Sequence, residues 1–277
     1  MVYLVTGANG FLGRGIVKQL LDKGNAVIAT DFSTQLVDPR AQRVDCDLFA
    51  LEEPWEHFGK PDVLLHLAWR NGFVHNDACH MEDLPRHCAF MEKMFAAGVK
   101  RAAVMGSMHE IGFYEGSVDE NTKCQPQNLY GIAKNALHQA CLLYAQKYQA
   151  KLQWLRAFYI VSNDTHGSSI FSKLAKAAVE GQESFPFTMG QNQYDFIDYP
   201  EFCRQVAAAV GQERFCGTIN ICSGRPQTLA QRVEAFIKEN GFVIQLCYGV
   251  YPDRPYDSKA IWGNDRIIGE VMESYGA

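Results

Sequence analysis

The sequence predicts an α/β fold: a doubly wound parallel sheet of the Rossmann fold type with a small C-terminal lobe. Three observations carry that expectation. An apolar strand over residues 2–5 runs straight into the turn Thr6-Gly7-Ala8-Asn9-Gly10-Phe11-Leu12-Gly13. Short apolar runs at 26–30, 62–68, 101–106 and 152–158 recur between helical stretches at 11–23, 82–97 and 128–148. Strands alternating with helices pair in parallel through right-handed crossovers. Beyond Phe158 the pattern loosens into segments rich in Gly, Pro, Ser and aromatic residues, broken by helices near 170–180, 201–210 and 228–240.

The organisation follows. Residues 1–160 make a dinucleotide-binding sheet, with a weak strand near Val44 and strands returning from about 194–222. Residues 161–277 make mainly the small lobe, where substrate choice is expected. Composition agrees with one large globule: 277 residues, 47% hydrophobic and 21% charged. A net charge of -5 and the lack of a basic stripe argue against nucleic acid as a partner. No run approaches the roughly 20 apolar residues that span a bilayer. No signal peptide is visible, so a cytoplasmic protein without a membrane partner is expected. The nine cysteines are scattered without a Cys-x-x-Cys pair and read as reduced thiols. His75, Cys79 and His80 lie close in sequence, but no second ligand cluster completes a tetrahedron, so no metal is expected.

The glycine turn follows a strand and opens a helix. Gly7 permits the tight turn, Gly10 lets backbone approach a pyrophosphate, and Gly13 lets helix and strand pack closely. Asn9, Phe11 and Leu12 fill the turn, and the helix N-terminus offers free N–H groups to phosphates. Asp31, at the tip of the second strand, suits a ribose diol and repels a 2′-phosphate. NAD(H) is therefore favoured over NADP(H). Asp47 and Leu48 either flank the adenine or are plain strand ends. Leu67, Ala68 and Trp69 either line the ribose and pyrophosphate path or simply end a strand.

Ser107 ends a strand, where this architecture places reacting groups. Tyr130 and Lys134 share a helix face four residues apart. The ammonium is expected to draw the phenol's pKa down from its usual value near 10, making a proton donor and acceptor at working pH. The serine hydroxyl would hold a substrate oxygen.

With these residues in place, the chain resembles an extended short-chain dehydrogenase/reductase of the NAD-dependent, nucleotide-sugar epimerase/dehydratase type. The likeness rests on the glycine turn, Asp31, His66-Leu67-Ala68, Ser107, Tyr130-x-x-x-Lys134 and Arg156-Ala157-Phe158. Later matches are Tyr194 to Ile197, Gly217 to Ile221, Arg254 and Asp257. The resemblance implies that Ser107, Tyr130 and Lys134 form the catalytic set and that Lys134 also bonds the nicotinamide ribose. It places Phe158 beside the nicotinamide and Arg254 on the diphosphate, unless that arginine makes a surface ion pair. It also implies a homodimer formed through the helices at 82–97 and 128–148.

Departures from the family pattern narrow the reaction. The dehydratases carry an Asp-Glu pair directly after the serine or threonine, where this chain has Met108 and His109, so elimination of water is not expected. Tyr159 stands where epimerases often carry asparagine. His109 occupies the place of a reactive cysteine in GDP-sugar epimerase-reductases, as a second acid/base or as a loop residue. Glu110 either orients His109 or caps the loop. Ser169 is a further candidate for substrate contact. Phe187, in Phe185-Pro186-Phe187, either walls the base site or belongs to the lobe core. The leading expectation is an NAD(P)H-dependent reductase of a nucleotide-linked 4-keto-6-deoxy sugar, with a nucleotide-diphosphate sugar as partner. The alternatives are an NAD-dependent 4-epimerase and a non-catalytic dinucleotide-sensing protein.

Overall fold

The structure, a computed structural model, describes residues 1–165, 167–252 and 257–276. The first half contains β1 (Val2–Thr6), α1 (Phe11–Asp22), β2 (Ala26–Asp31), β3 (Gln42–Asp45), α2 (Pro54–His57), β4 (Val63–His66), α3 (Cys79–Ala97), β5 (Arg101–Ser107), β6 (Gly116–Val118) and α4 (Leu129–Lys147). The second contains β7 (Lys151–Ala157), β8 (Tyr159–Val161), α5 (Ile170–Val179), β9 (Ser184–Pro186), β10 (Gln193–Asp198), α6 (Tyr199–Gly211), β11 (Gly217–Ile221), β12 (Pro226–Thr228), α7 (Leu229–Glu239), β13 (Gln245–Cys247), β14 (Ala260–Gly263) and α8 (Arg266–Gly276).

Seven strands form one sheet in the order β11-β7-β5-β4-β1-β2-β3, with every neighbouring pair parallel. The order switches between β1 and β4, which opens a crevice at their carboxyl ends. Side chains alternate across the sheet. Tyr3, Val5, Val63 and Leu65 enter one core with Ile16 of α1, Phe202 of α6 and Ile268 of α8. Leu4 and Leu64 enter the other with Met91 of α3 and Leu137 of α4. Each fully buried leucine contributes about 1.5–3 kcal/mol relative to exposure. Among the described residues no helix is long and apolar enough to cross a membrane.

The segment at 194–222 differs from the sequence expectation. β11 joins the main sheet, but β10 does not. It lies in a second sheet in the order β12-β10-β14-β6, with β8 also paired to it. The physical reason is the buried carboxylate of Asp195. It accepts hydrogen bonds from Ser223 N (2.8 Å), Ser223 Oγ (2.7 Å), Gly224 N (2.9 Å) and Gly263 N (3.1 Å). These bonds pin β10 to β14 and to the loop after β11. Residues 161–277 therefore serve both layers: α6, β11 and α8 pack with the large sheet, while β12, β14 and α7 build around β10.

Asp195→Ala removes the acceptor for three N–H groups and a hydroxyl at once. We expect a loss of about 3–5 kcal/mol, measured by urea unfolding, and a smaller loss for Asp195→Asn.

Candidate active site

The cofactor turn is built by close approach. Gly7 has φ +66°, and a Cβ on it would stand 2.7 Å from the Ala68 backbone. A Cβ on Gly13 would stand 2.3 Å from the Gly7 carbonyl and 2.6 Å from Ala8 Cα. Only glycine lets β1, the end of β4 and α1 meet here. Gly10 is the N-cap of α1 and gives it no side-chain cap, so the first turn of Phe11, Leu12 and Gly13 keeps its N–H groups for another acceptor. Asp31 ends β2 and accepts from Asn9 N (3.0 Å) and Phe32 N (2.8 Å). Asn9 Oδ1 in turn accepts from Leu36 N (2.8 Å). Arg40 is held away by Asp22 and Asp38, each 2.7 Å from its Nη2. A cradle that any side chain would fill, together with a carboxylate at the strand tip, fits a dinucleotide with an unphosphorylated ribose diol.

The reacting end is organised by a buried carboxylate. Glu110 is 0% exposed. It accepts from Ser107 N (2.6 Å) and from Trp154 Nε1 (2.9 Å). Ser107 Oγ accepts from His109 N (3.3 Å), which closes a capping box around a 3-10 turn over Met108–Glu110. Glu110 thus clamps the turn that presents Ser107 and does not orient His109. Opposite it, Asn128 caps α4 by accepting from Gly131 N (2.8 Å). A Cβ on Gly131 would stand 2.3 Å from the His109 carbonyl. That glycine lets α4 dock on the turn and brings the Tyr130 side chain beside Ser107. Gly131 and Trp154 escape sequence reading, since their role depends on contacts made only after folding.

The electrostatics reverse the sequence expectation. Burial pushes the Tyr130 phenol up to about 12; the Ser107 hydrogen bond opposes this and the Glu110 charge adds to it. Burial pushes Lys134 down to about 7, against the attraction of Glu110. Lys134 Nζ donates to the Met105 carbonyl (2.8 Å) and lies 5.9 Å from the Tyr130 ring centroid. Desolvation therefore outweighs the cation's pull on the phenol. Tyr130 is held as the protonated form.

The remaining candidates separate. His109 lies 4.1 Å from the His75 ring, 6.0 Å from Tyr130 and 6.4 Å from Tyr159 between ring centroids. Burial, reinforced by His75, holds it neutral with a pKa of about 3. It is a hydrogen-bonding group here and not an imidazolium. Tyr159 is half-buried and lies tilted against Tyr194, 4.7 Å between ring centroids. Phe187 is 1% exposed and packs in the lobe core. Phe158 is 5% exposed and packs against Gly263. Ser169 caps α5 by accepting from Ser172 N (3.1 Å). Arg254 lies outside the described residues.

On the adenine side, Asp47 caps its own turn through Phe49 N (3.0 Å) and pairs with Arg86 (3.2 Å), while the Leu48 side chain is buried. Leu67 is buried and Ala68 sits against Gly7. Trp69 lies against Lys134, 3.9 Å from its Nζ. His80 accepts from Trp69 Nε1 (3.1 Å) and donates to the Val74 carbonyl (3.0 Å), so both ring nitrogens are engaged. Among the described residues no group of three or more His, Cys, Asp or Glu side chains is placed to hold a metal.

Fold and site together define a class: an α/β enzyme with a dinucleotide cradle at one strand tip and a phenol, hydroxyl and ammonium two strands away. The family model described as NAD dependent epimerase/dehydratase matches residues 3–222, and the chain belongs to that family. It is an NAD-dependent enzyme of the extended short-chain dehydrogenase/reductase type. A dTDP-6-deoxy-L-talose 4-dehydrogenase (NAD(+)) of Aggregatibacter actinomycetemcomitans is 41% identical over 269 residues, spanning 95% of this chain and 99% of that protein. MoeE5, solved with UDP-glucuronic acid and NAD, superposes at TM-score 0.82 with 23% identity, covering 99% of this chain and 93% of that one. The UDP-glucose 4-epimerase of Thermotoga maritima, solved with UDP-glucose, superposes at 0.81 with 21% identity, covering 95% and 90%. These two structural likenesses establish the fold.

Lys134 makes a signed prediction. Its folded pKa of about 7 lies below the free value of 10.5. Between the two, the unfolded chain binds more protons, so stability rises with pH across that window and the penalty is full below about 7. Lys134→Met should stabilise the cofactor-free protein by about 1–4 kcal/mol at acid to neutral pH. The margin should shrink as pH approaches 10.5, while turnover is lost. Urea unfolding of both proteins at about pH 6 and about pH 10 checks the sign.

Proposed function

We propose that the chain is an NAD(H)-dependent oxidoreductase working at C4 of a nucleotide-linked 6-deoxy sugar, interconverting its 4-keto and 4-hydroxy forms. The observation that carries this reading is the Tyr130 phenol held beside Ser107 at the tip of β5 and kept neutral by burial. Reduction of a ketone makes an alkoxide, and a protonated tyrosine is the group such an oxygen needs. In this reading Ser107 holds the C4 oxygen and Tyr130 gives it a proton on reduction or takes one on oxidation. Lys134 compensates the phenolate as it forms. Bound nicotinamide supplies or accepts the hydride. Backbone at Gly7, Asn9, Gly10, Phe11, Leu12 and Gly13 would hold the pyrophosphate, Asp31 the ribose diol and Lys134 the nicotinamide ribose.

Three further points support it. The 41% identical relative is named for a 4-dehydrogenase of a dTDP-linked 6-deoxy sugar, so thymidine diphosphate is the carrier we propose. Met108 is buried and His109 neutral, so the pair that would run an elimination is missing from that turn. Tyr159 and His109 converge beside Tyr130 as hydrogen-bonding groups for the sugar. Arg254 remains our choice for the diphosphate. A homodimer through α3 and α4 accords with exposed Met81, Leu142 and Leu143 on those helices.

Anaerobic mixing with a dTDP-4-keto-6-deoxyhexose and NADH tests the proposal. One NADH should be consumed per sugar reduced, and Tyr130→Phe should lower kcat by about 10²–10⁴. Inversion at C4 of the corresponding 4-hydroxy sugar, with no net change in NADH, would establish a 4-epimerase instead. Unchanged turnover in Tyr130→Phe would point away from this site altogether.

A further inference from the structure

We propose that Trp69 is a positioning residue for the Tyr130–Lys134 pair: its indole face holds the Lys134 ammonium, and its Nε1–H anchors the loop that grips Tyr130. The proposal rests on the functional reading above only in treating that pair as the reacting one.

The first half of the argument is electrostatic. Lys134 is 3% exposed, and its Nζ lies 3.9 Å from the Trp69 ring centroid. An ammonium carries three protons. One goes to the Met105 carbonyl, and an indole face is the best aromatic acceptor for a desolvated cation. The titratable groups around Lys134 are Glu110 on the 3-10 turn, Tyr130 and Cys141 on α4, His66 on β4, and His87 on α3. Burial holds both histidines neutral, so neither competes as a cation.

The second half is mechanical. His87 stacks on Trp69 at 4.4 Å and 20°. His87 Nδ1 is bonded to His66 Nε2 (2.9 Å), and His66 Nδ1 to Thr6 Oγ1 (2.8 Å), at the start of the glycine turn. The indole N–H donates to His80, whose other nitrogen donates to the Val74 carbonyl. The next residue, His75, accepts from Tyr130 N (2.8 Å) and stacks on the Tyr130 ring at 5.7 Å and 13°. One indole thus links the ammonium, the phenol and the cofactor turn.

The test is the titration of Lys134 in the cofactor-free protein, followed through its 13Cε resonance. Trp69→Leu removes the π face but keeps apolar bulk, and should lower the midpoint by roughly one pH unit. Trp69→Phe should lower it less. A difluorotryptophan placed at position 69 alone keeps shape and hydrogen bond while draining the ring's charge, so it tests the same point where Trp69→Leu fails to fold; it too should lower the midpoint. In turnover, the alkaline limb of kcat should move with the midpoint; Trp69→Phe, which keeps a π face but loses the Nε1–H, should bring the limb most of the way back without restoring the full kcat. A Lys134 midpoint unmoved by fluorination overturns the electrostatic half, and a full kcat in Trp69→Phe overturns the mechanical half. The resonance needs no substrate, so an incorrect sugar assignment would leave this result standing.

Discussion

A carboxylate sealed from water under the tip of β5 sets the terms for the rest of the site. Glu110 is fully buried, and burial alone pushes its pKa up. It stays satisfied by taking the Ser107 N–H and the Trp154 indole N–H, with Arg156 and Lys134 as the nearest opposing charges. Each partner then becomes constrained. Gly106 must lack a Cβ, which would stand 2.1 Å from Trp154 Nε1. Arg156 is 1% exposed and is itself held by the Asp119 carbonyl (3.1 Å). Ser107 is held in extended geometry at the strand end, with its hydroxyl accepting from His109 N. A buried charge satisfied this fully rigidifies its surroundings, and half-satisfied it would be costly.

The same desolvation acts on the reacting groups. Tyr130 and Lys134 each sit where their charged form is disfavoured, and each is kept close by a glycine or a carbonyl and not by a mutual salt link. The site holds a neutral phenol as proton donor and a lysine near the midpoint of its titration. Such groups weaken the folded state locally, and their presence in a crevice with a cofactor cradle points to use in chemistry. The fold absorbs the cost through two well-filled cores on either face of the large sheet.

Much of this was legible in the sequence, for physical reasons that differ from place to place. The turn from Gly7 to Gly13 is a local backbone requirement, so its residues announce it. Asp31 follows from strand length, and Tyr130 with Lys134 from helical period. What stayed hidden depends on partners far along the chain. Glu110 reads as a loop acid until Trp154 folds over it. β10 reads as one more strand of the large sheet until Asp195 ties it to residues 223, 224 and 263. Phe187 is apolar in a loop-rich segment, and hydrophobicity alone does not tell a site wall from a core. Trp69 reads as a strand end, and its contact with Lys134 spans 65 positions that no local rule connects. The direction of the Tyr130 shift is hidden from the sequence, because spacing reveals the neighbouring charge but not the loss of water.

The central claim is that the crevice between the glycine turn and Ser107 carries hydride and proton exchange at sugar C4. Deuterium tracing addresses it most directly. NADH carrying deuterium at both positions of nicotinamide C4 is mixed with the thymidine-linked 4-keto-6-deoxy sugar, and the product is read by NMR. The account predicts deuterium at sugar C4, one per molecule reduced. Product formed with hydrogen at C4, or with the label at another carbon, would contradict it.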